Sequence, residues 1–159
     1  MRDYFTATIC VNGHIVDFYH ADAQKFCSVC GKHTLSYCTH CRAPIRGREN
    51  DGITRINQKE RLDYYCYNCN GPYPWTEKLI SSATELIALD GGIDADTREL
   101  LITAIPDLIV ETPYTPVAVA RYSRFLAKAP TLIRDTMYQL LIGVLSESSK
   151  SILFPQPPQ

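Results

Sequence analysis

No stretch of the 159 residues stays apolar for the roughly 20 residues that a membrane span needs. Charge of one sign is also missing. The chain has 16 Lys and Arg against 17 Asp and Glu, so its net charge of −1 argues for neither a polyanionic partner nor an acidic membrane surface. It opens Met-Arg-Asp-Tyr, without the cationic and apolar segments of a signal peptide, and a cytoplasmic location with no membrane association is expected. Catalytic signatures are absent too: no His-Glu-x-x-His, no Gly-x-Ser-x-Gly and no phosphate-binding glycine loop. Asp94, Asp96 and Glu99 are close together, but acids at the start of a helix are explained by the helix dipole. An enzyme is not expected.

Cysteine is what the chain has, and in one pattern. Residues 9–75 read Cys10-x-x-x-His14, Cys27-x-x-Cys30, Cys38-x-x-Cys41 and Cys66-x-x-Cys69, which uses all 7 cysteines. With His14 they supply ligands for two closed tetrahedral zinc sites and leave none over. Paired Cys-x-x-Cys motifs without a secretory signal read as metal ligands rather than disulfides. Each pair is a zinc knuckle, a tight turn that presents two ligands from one side. Gly13 is free to take a positive φ in the first, and Gly31 directly follows the last ligand of the second. Cys10 has the alternative of being a buried free thiol. His20, His33 and His40 read as surface histidines. With every thiol committed and no open coordination position, neither a nucleophilic cysteine nor a catalytic zinc is left.

The spacings allow two pairings. Sequential pairing gives a tandem zinc ribbon, whereas a cross-brace joins first to third and second to fourth knuckle. Sequential pairing is expected, because strand-like residues flank the first two knuckles (Tyr4 to Ile9, His14 to Tyr19, Thr34 to Tyr37). Residues 42–65 read as a long loop or hairpin in which Arg42, Arg46, Arg48, Arg55, Lys59 and Arg61 alternate with acids. Arg46, Arg48 and Arg55 are the candidate phosphate contacts. Up to residue 75 there are nine cations and seven acids, and beyond it seven and ten. The thiolates of two filled zinc sites would cancel most of the first excess.

After Trp75 the apolar period becomes helical. Thr76 is a candidate N-cap for a stripe of Leu79, Ile80, Ala83, Leu86 and Ile87. A capping box at Asp96 to Glu99 precedes Leu100, Leu101, Ala104 and Ile105, with Pro106 expected to end or kink that helix. Thr115 with Pro116 opens a third helix. Its face of Arg121, Arg124 and Lys128 reads as a solvated side before it reads as a phosphate site. Residues 131–149 form the last helix, with Ile133, Met137, Leu140, Leu141, Val144 and Leu145 on one face. Leu132, Ile142 and residues 152–154 widen that surface, which predicts a homodimer through this helix. The fold expected is therefore α+β: an N-terminal tandem zinc-ribbon module over residues 1–75, a bundle of about four helices over 76–154, and a disordered Pro/Gln tail over 155–159.

Cys10-Val-Asn-Gly-His14, the run from Lys25 to Gly31, the segment from Cys38 to Gly47, Tyr65 to Cys69 and Pro74-Trp75-Thr76-Glu77 together resemble an uncharacterised bacterial zinc-ribbon family, domain of unknown function 2321. Thr112-Pro-Tyr-Thr-Pro116 is similar as well, so the resemblance covers most of the chain. It implies a bacterial protein with paired zinc ribbons and a helical C-terminal part, and it implies no activity. The function expected is a non-enzymatic zinc-binding interaction module, an adaptor or regulator with two structural Zn2+ and a protein partner. The alternative is a nucleic-acid-binding protein that uses residues 42–61.

Overall fold

A computed structural model describes residues 3–52 and 61–154. Arg55, Lys59 and the predicted tail at 155–159 lie outside the described residues. Contacts divide the chain into two compact units, Met1–Lys78 and Leu79–Gln159.

In the first unit the opening strand-like run is broken at Ala7, whose N–H bonds to the Ile45 carbonyl. Strand β1 (Tyr4–Thr6) lies before the break, β2 (Thr8–Cys10) after it, and β3 (Ile15–Asp17) follows the first knuckle. Strands β4 (Thr34–Leu35) and β5 (Arg46–Glu49) complete two small antiparallel sheets, ordered β3-β2-β4 and β1-β5. β5 lies inside the charged segment read as a loop or hairpin. Its partners are distant in sequence: Tyr4 faces Glu49 and Thr6 faces Arg46. The core consists of Ala7, Ile9, Phe18, Ile45, Tyr73 and Trp75, together with the buried ligands Cys38 and Cys66. Tyr73 and Trp75, both buried, stack at 4.7 Å.

Helix α1 (Pro74–Leu89) starts earlier than Thr76. Thr76 does not cap it, because its hydroxyl donates to the Tyr64 carbonyl, as the Trp75 indole N–H does to Asp63. Those bonds tie the first turn of α1 to the first unit, and the division between units falls inside the helix.

The second unit contains the rest of α1, then α2 (Ala95–Ile109), α3 (Thr115–Lys128), α4 (Thr131–Leu141) and α5 (Glu147–Leu153). Leu79, Ala83 and Ile87 of the predicted α1 stripe are buried. The cap of α2 is Asp94 rather than Asp96, accepting from Thr97 N at 2.9 Å. Pro106 is carried inside α2, and Leu108 and Ile109 beyond it are buried. Burying two such side chains, at about 1.5–3 kcal/mol each, offsets the roughly 3 kcal/mol that an internal proline costs. Thr115 leaves α3 uncapped and instead donates to the Asp107 carbonyl and accepts from Thr112 N.

The predicted last helix is two helices. Its chain leaves the helix after Leu141, Ser146 N donates to the Leu108 carbonyl, and the Ser146 side chain then caps α5. This raises the count to five helices among the described residues, rather than about four. Ile133, Met137, Leu141 and Leu145 are buried within the unit, while Leu132 and Ile152 remain exposed.

Candidate metal centres

The three Cys-x-x-Cys pairs are built from the same main-chain bonds. In the second pair Cys27 N donates to Lys32 O and Gly31 N to Cys27 O. In the third, Cys38 N donates to Ala43 O and Arg42 N to Cys38 O; in the fourth, Cys66 N donates to Gly71 O and Asn70 N to Cys66 O. Short bridges brace each turn at Phe26–His33, Tyr37–Pro44 and Tyr65–Pro72. The residue four after the first cysteine is left-handed every time: Gly31 at φ 68°, Arg42 at 63° and Asn70 at 56°. The first pair is tighter, with Gly13 N on Cys10 O and Gly13 at φ 84°, and this brings His14 into the fourth ligand position.

An L-residue in the left-handed region costs roughly 1–2 kcal/mol, less for asparagine, whose short side chain tolerates it. Arg42→Gly should therefore stabilise the metal-loaded protein by up to about 1 kcal/mol and Asn70→Gly by less. Thermal melts in excess metal check this. A lower melting temperature for Arg42→Gly would mean that the guanidinium over the Tyr37 ring, 6.0 Å from its centroid, outweighs the strain.

The donors meet in two groups in chain order: Cys10, His14, Cys27 and Cys30, then Cys38, Cys41, Cys66 and Cys69. Within each group every ligand atom lies within 4.8 Å of the others. This is sequential pairing, and no cross-braced group occurs among the described residues. Each group could hold a metal ion, and its dimensions test the fit. A tetrahedron of sulfurs at ~2.3 Å from its centre has edges of about 3.8 Å. Cys38 to Cys69 is 3.8 Å and Cys41 to Cys66 is 3.7 Å. In the first group Cys27 Sγ to His14 Nδ1 is 3.6 Å, which suits the shorter bond of an imidazole, and Cys10 to Cys30 is 3.4 Å, shorter than the ideal sulfur–sulfur edge.

Amide hydrogens surround the sulfurs. Asn12 donates its main-chain N–H to Cys10 and its side-chain Nδ2 to Cys30, and Asn68 Nδ2 donates to Cys41. The Ala43 N–H, with Asn68, pulls Cys41 down to about 6. The Lys32 N–H likewise lowers Cys30. Burial pushes Cys10 up to about 11. At Cys69 the Gly71 N–H acts downward, but desolvation and the Cys41, Cys66 and Cys38 sulfurs outweigh it and raise the thiol to about 12. Four thiols this close cannot all ionise unless a cation joins them, so the donor set fits a divalent ion.

The family described as "uncharacterized protein conserved in bacteria (DUF2321)" matches residues 3–153. The chain belongs to that family. No curated protein and no solved structure matches it. The match takes in nearly the whole chain, both donor groups and the five described helices included.

The candidate phosphate contacts are placed differently from the ligands. Arg46 lies between two tyrosines, its guanidinium 3.8 Å from the Tyr67 ring centroid and 4.8 Å from that of Tyr4. Arg48 donates to Tyr19 Oη at 2.8 Å. Arg55 lies outside the described residues. His40 is half-exposed, as expected of a knuckle tip, and lies 3.7 Å from Glu77. Sequence reading missed Asn12 and Asn68, although each stands two residues after the first cysteine of its pair, where an amide reaches across to a sulfur of the facing pair.

Proposed function

We propose that the chain is a non-enzymatic zinc-binding interaction module, an adaptor or regulator within a bacterial cytosolic complex, with two structural Zn2+. The observation that carries this reading is the closure of both donor groups: four protein ligands each, at tetrahedral spacing, with no position left for a water or a substrate. Three thiolates with one imidazole, and four thiolates, are donor sets that suit zinc. A protein partner is supported by the apolar tip of the second knuckle, where Phe26 and Val29 are 56% and 72% exposed. Self-association through α4 and α5 would use Leu132 and Ile152, the exposed remainder of the stripe that suggested a dimer.

Binding nucleic acid is the second reading, and the tyrosine-backed arginines give it a specific surface. It requires Arg46 and Arg48 to leave their rings or to present phosphate contacts from them, which favours the first reading.

Metal analysis should find about two zinc ions per chain, falling to about one in Cys10→Ser or His14→Ala. Cobalt substitution should give tetrahedral spectra that azide does not alter. An azide-sensitive spectrum would reveal an open position and overturn the structural role. Anisotropy titrations with mixed-sequence RNA and DNA should show nothing tighter than the ~10⁻⁴–10⁻⁶ M of non-specific contact. A salt-sensitive nanomolar complex weakened by Arg46→Ala would reverse the order of the two readings.

A further inference from the structure

The helical unit has a cleft of about 420 Å³ between the start of α2 and the C-terminal half of α3. Ile93, Leu101 and Phe125 line it with apolar surface, and the exposed Leu100 extends that surface outward. Arg121, Arg124 and Lys128 of α3 line it as well, a stripe with helical spacing. The acids present are Asp90 and Asp94, and both are engaged by their own loop. Asp94 accepts from Thr97 N at 2.9 Å and Thr97 Oγ1 at 2.7 Å, and Asp90 accepts from Gly92 N at 3.0 Å. None of the three cations makes an ion pair or a side-chain hydrogen bond among the described residues. At the N-terminus of α2 the Asp94 side chain caps the Thr97 N–H.

We propose that this cleft binds a small amphiphilic carboxylate, with its apolar body on Ile93, Leu100 and Phe125 and its headgroup between Arg121 and Arg124. Three cations facing two carboxylates leave one positive charge for a singly charged headgroup. A planar guanidinium matches a carboxylate in two parallel hydrogen bonds. The volume is within the range of sites that enclose small ligands. The floor is fixed, since the buried Tyr122 hydroxyl donates to the Leu101 carbonyl at 3.1 Å and joins α3 to α2. A purely solvated helix face would lack the apolar recess beneath the cations.

Octanoate is a suitable probe for the full zinc-loaded chain, followed by calorimetry and amide chemical shifts. One saturable site is expected, with a dissociation constant on the order of 10⁻⁴ M and shifts centred on Ile93, Leu100 and Arg121. Octanol, acetate and inorganic phosphate should each bind at least about ten-fold more weakly, since each lacks the headgroup or the apolar body. The doubly substituted R121Q/R124Q and, separately, Leu100→Asp should lose about ten-fold in affinity. All three positions are exposed, and an unchanged melting transition verifies folding. The proposal is overturned if octanoate does not saturate, if phosphate or octanol binds as well, or if the variants bind like the parent. It also fails if anionic lipid vesicles, and not octanoate, engage the stripe.

Discussion

Stripping the proposed zinc from the protein with a chelator is expected to unfold the first unit and leave the helices of the second in place. The first unit has little else to hold it. Its core includes two of its own ligands, Cys38 and Cys66, and its strands are two to four residues long. Closed zinc sites supply on the order of 10–16 kcal/mol of apparent binding free energy, as much as the total stability of an ordinary domain. The second unit buries Leu101, Ile105, Leu108, Tyr122, Met137 and Leu141 without a metal. Trp75 is the one tryptophan and is buried in the first unit, so its emission should shift to the red while most helical ellipticity persists. Unchanged emission, or complete loss of ellipticity, would refute the separation.

Acid should act as the chelator does. Cys41, held at about 6 without metal, takes up a proton as the pH falls through that value, and protons then compete with zinc. Cys10 and Cys69, at about 11 and about 12 without metal, are protonated at neutral pH and must release those protons when zinc binds. Affinity therefore rises with pH across the neutral range and collapses below about pH 6. Proton release on zinc addition, measured in a weakly buffered solution, checks the sign.

Gly47→Ala should be the most damaging single substitution outside the ligands. A Cβ at Gly47 would lie 2.0 Å from the Phe18 carbonyl oxygen and 3.1 Å from that of Phe5. Both obstacles are backbone, and the Phe18 carbonyl is held by Arg48 N at 3.1 Å, so neither can swing aside. Separating them means parting β5 from the chain leaving β3. A loss of at least about 3 kcal/mol is expected, from the class of overpacking that forces main-chain movement. Gly91 meets nothing within 4 Å, so Gly91→Ala serves as the neutral control. Melting in excess zinc, with metal content measured alongside, decides the matter. A Gly47→Ala protein that melts with the parent would show that the approach of these backbones relaxes freely.

The two groups of possible donors were legible in the sequence because knuckle spacing follows directly from the length of a tight turn. Gly13 was legible for the same reason, whereas Arg42 was not. A large cation carries no sign that its backbone is left-handed, and only alignment of the three Cys-x-x-Cys turns exposes the position. β5 was hidden because Arg-Gly-Arg-Glu has no alternation, and its register comes from Tyr4, Thr6 and Phe18, far away in the chain. The division of the last helix at residues 142–146 was equally hidden. It depends on Ser146 N finding the Leu108 carbonyl, a contact that periodicity does not encode. Thr76 and Thr115 were read as caps from local chemistry, and carbonyls of neighbouring segments claimed both hydroxyls instead.

The turns that present the cysteines make almost no demand on side chains. Their closure uses N–H and C=O groups that every residue but proline possesses, and the sulfurs are steadied largely by main-chain amides. Beyond the cysteines, each Cys-x-x-Cys turn asks only for one position that bears a left-handed backbone. His40 lies beside Glu77 and Tyr67 stacks on Arg46, but the tips Ser28, Val29 and Thr39 are released from such duties. Mutation can rewrite them without disturbing the metal, as in an antibody loop carried on an indifferent framework. A lineage could thus exchange one binding partner for another by changing a few tip residues while its metal chemistry stayed constant.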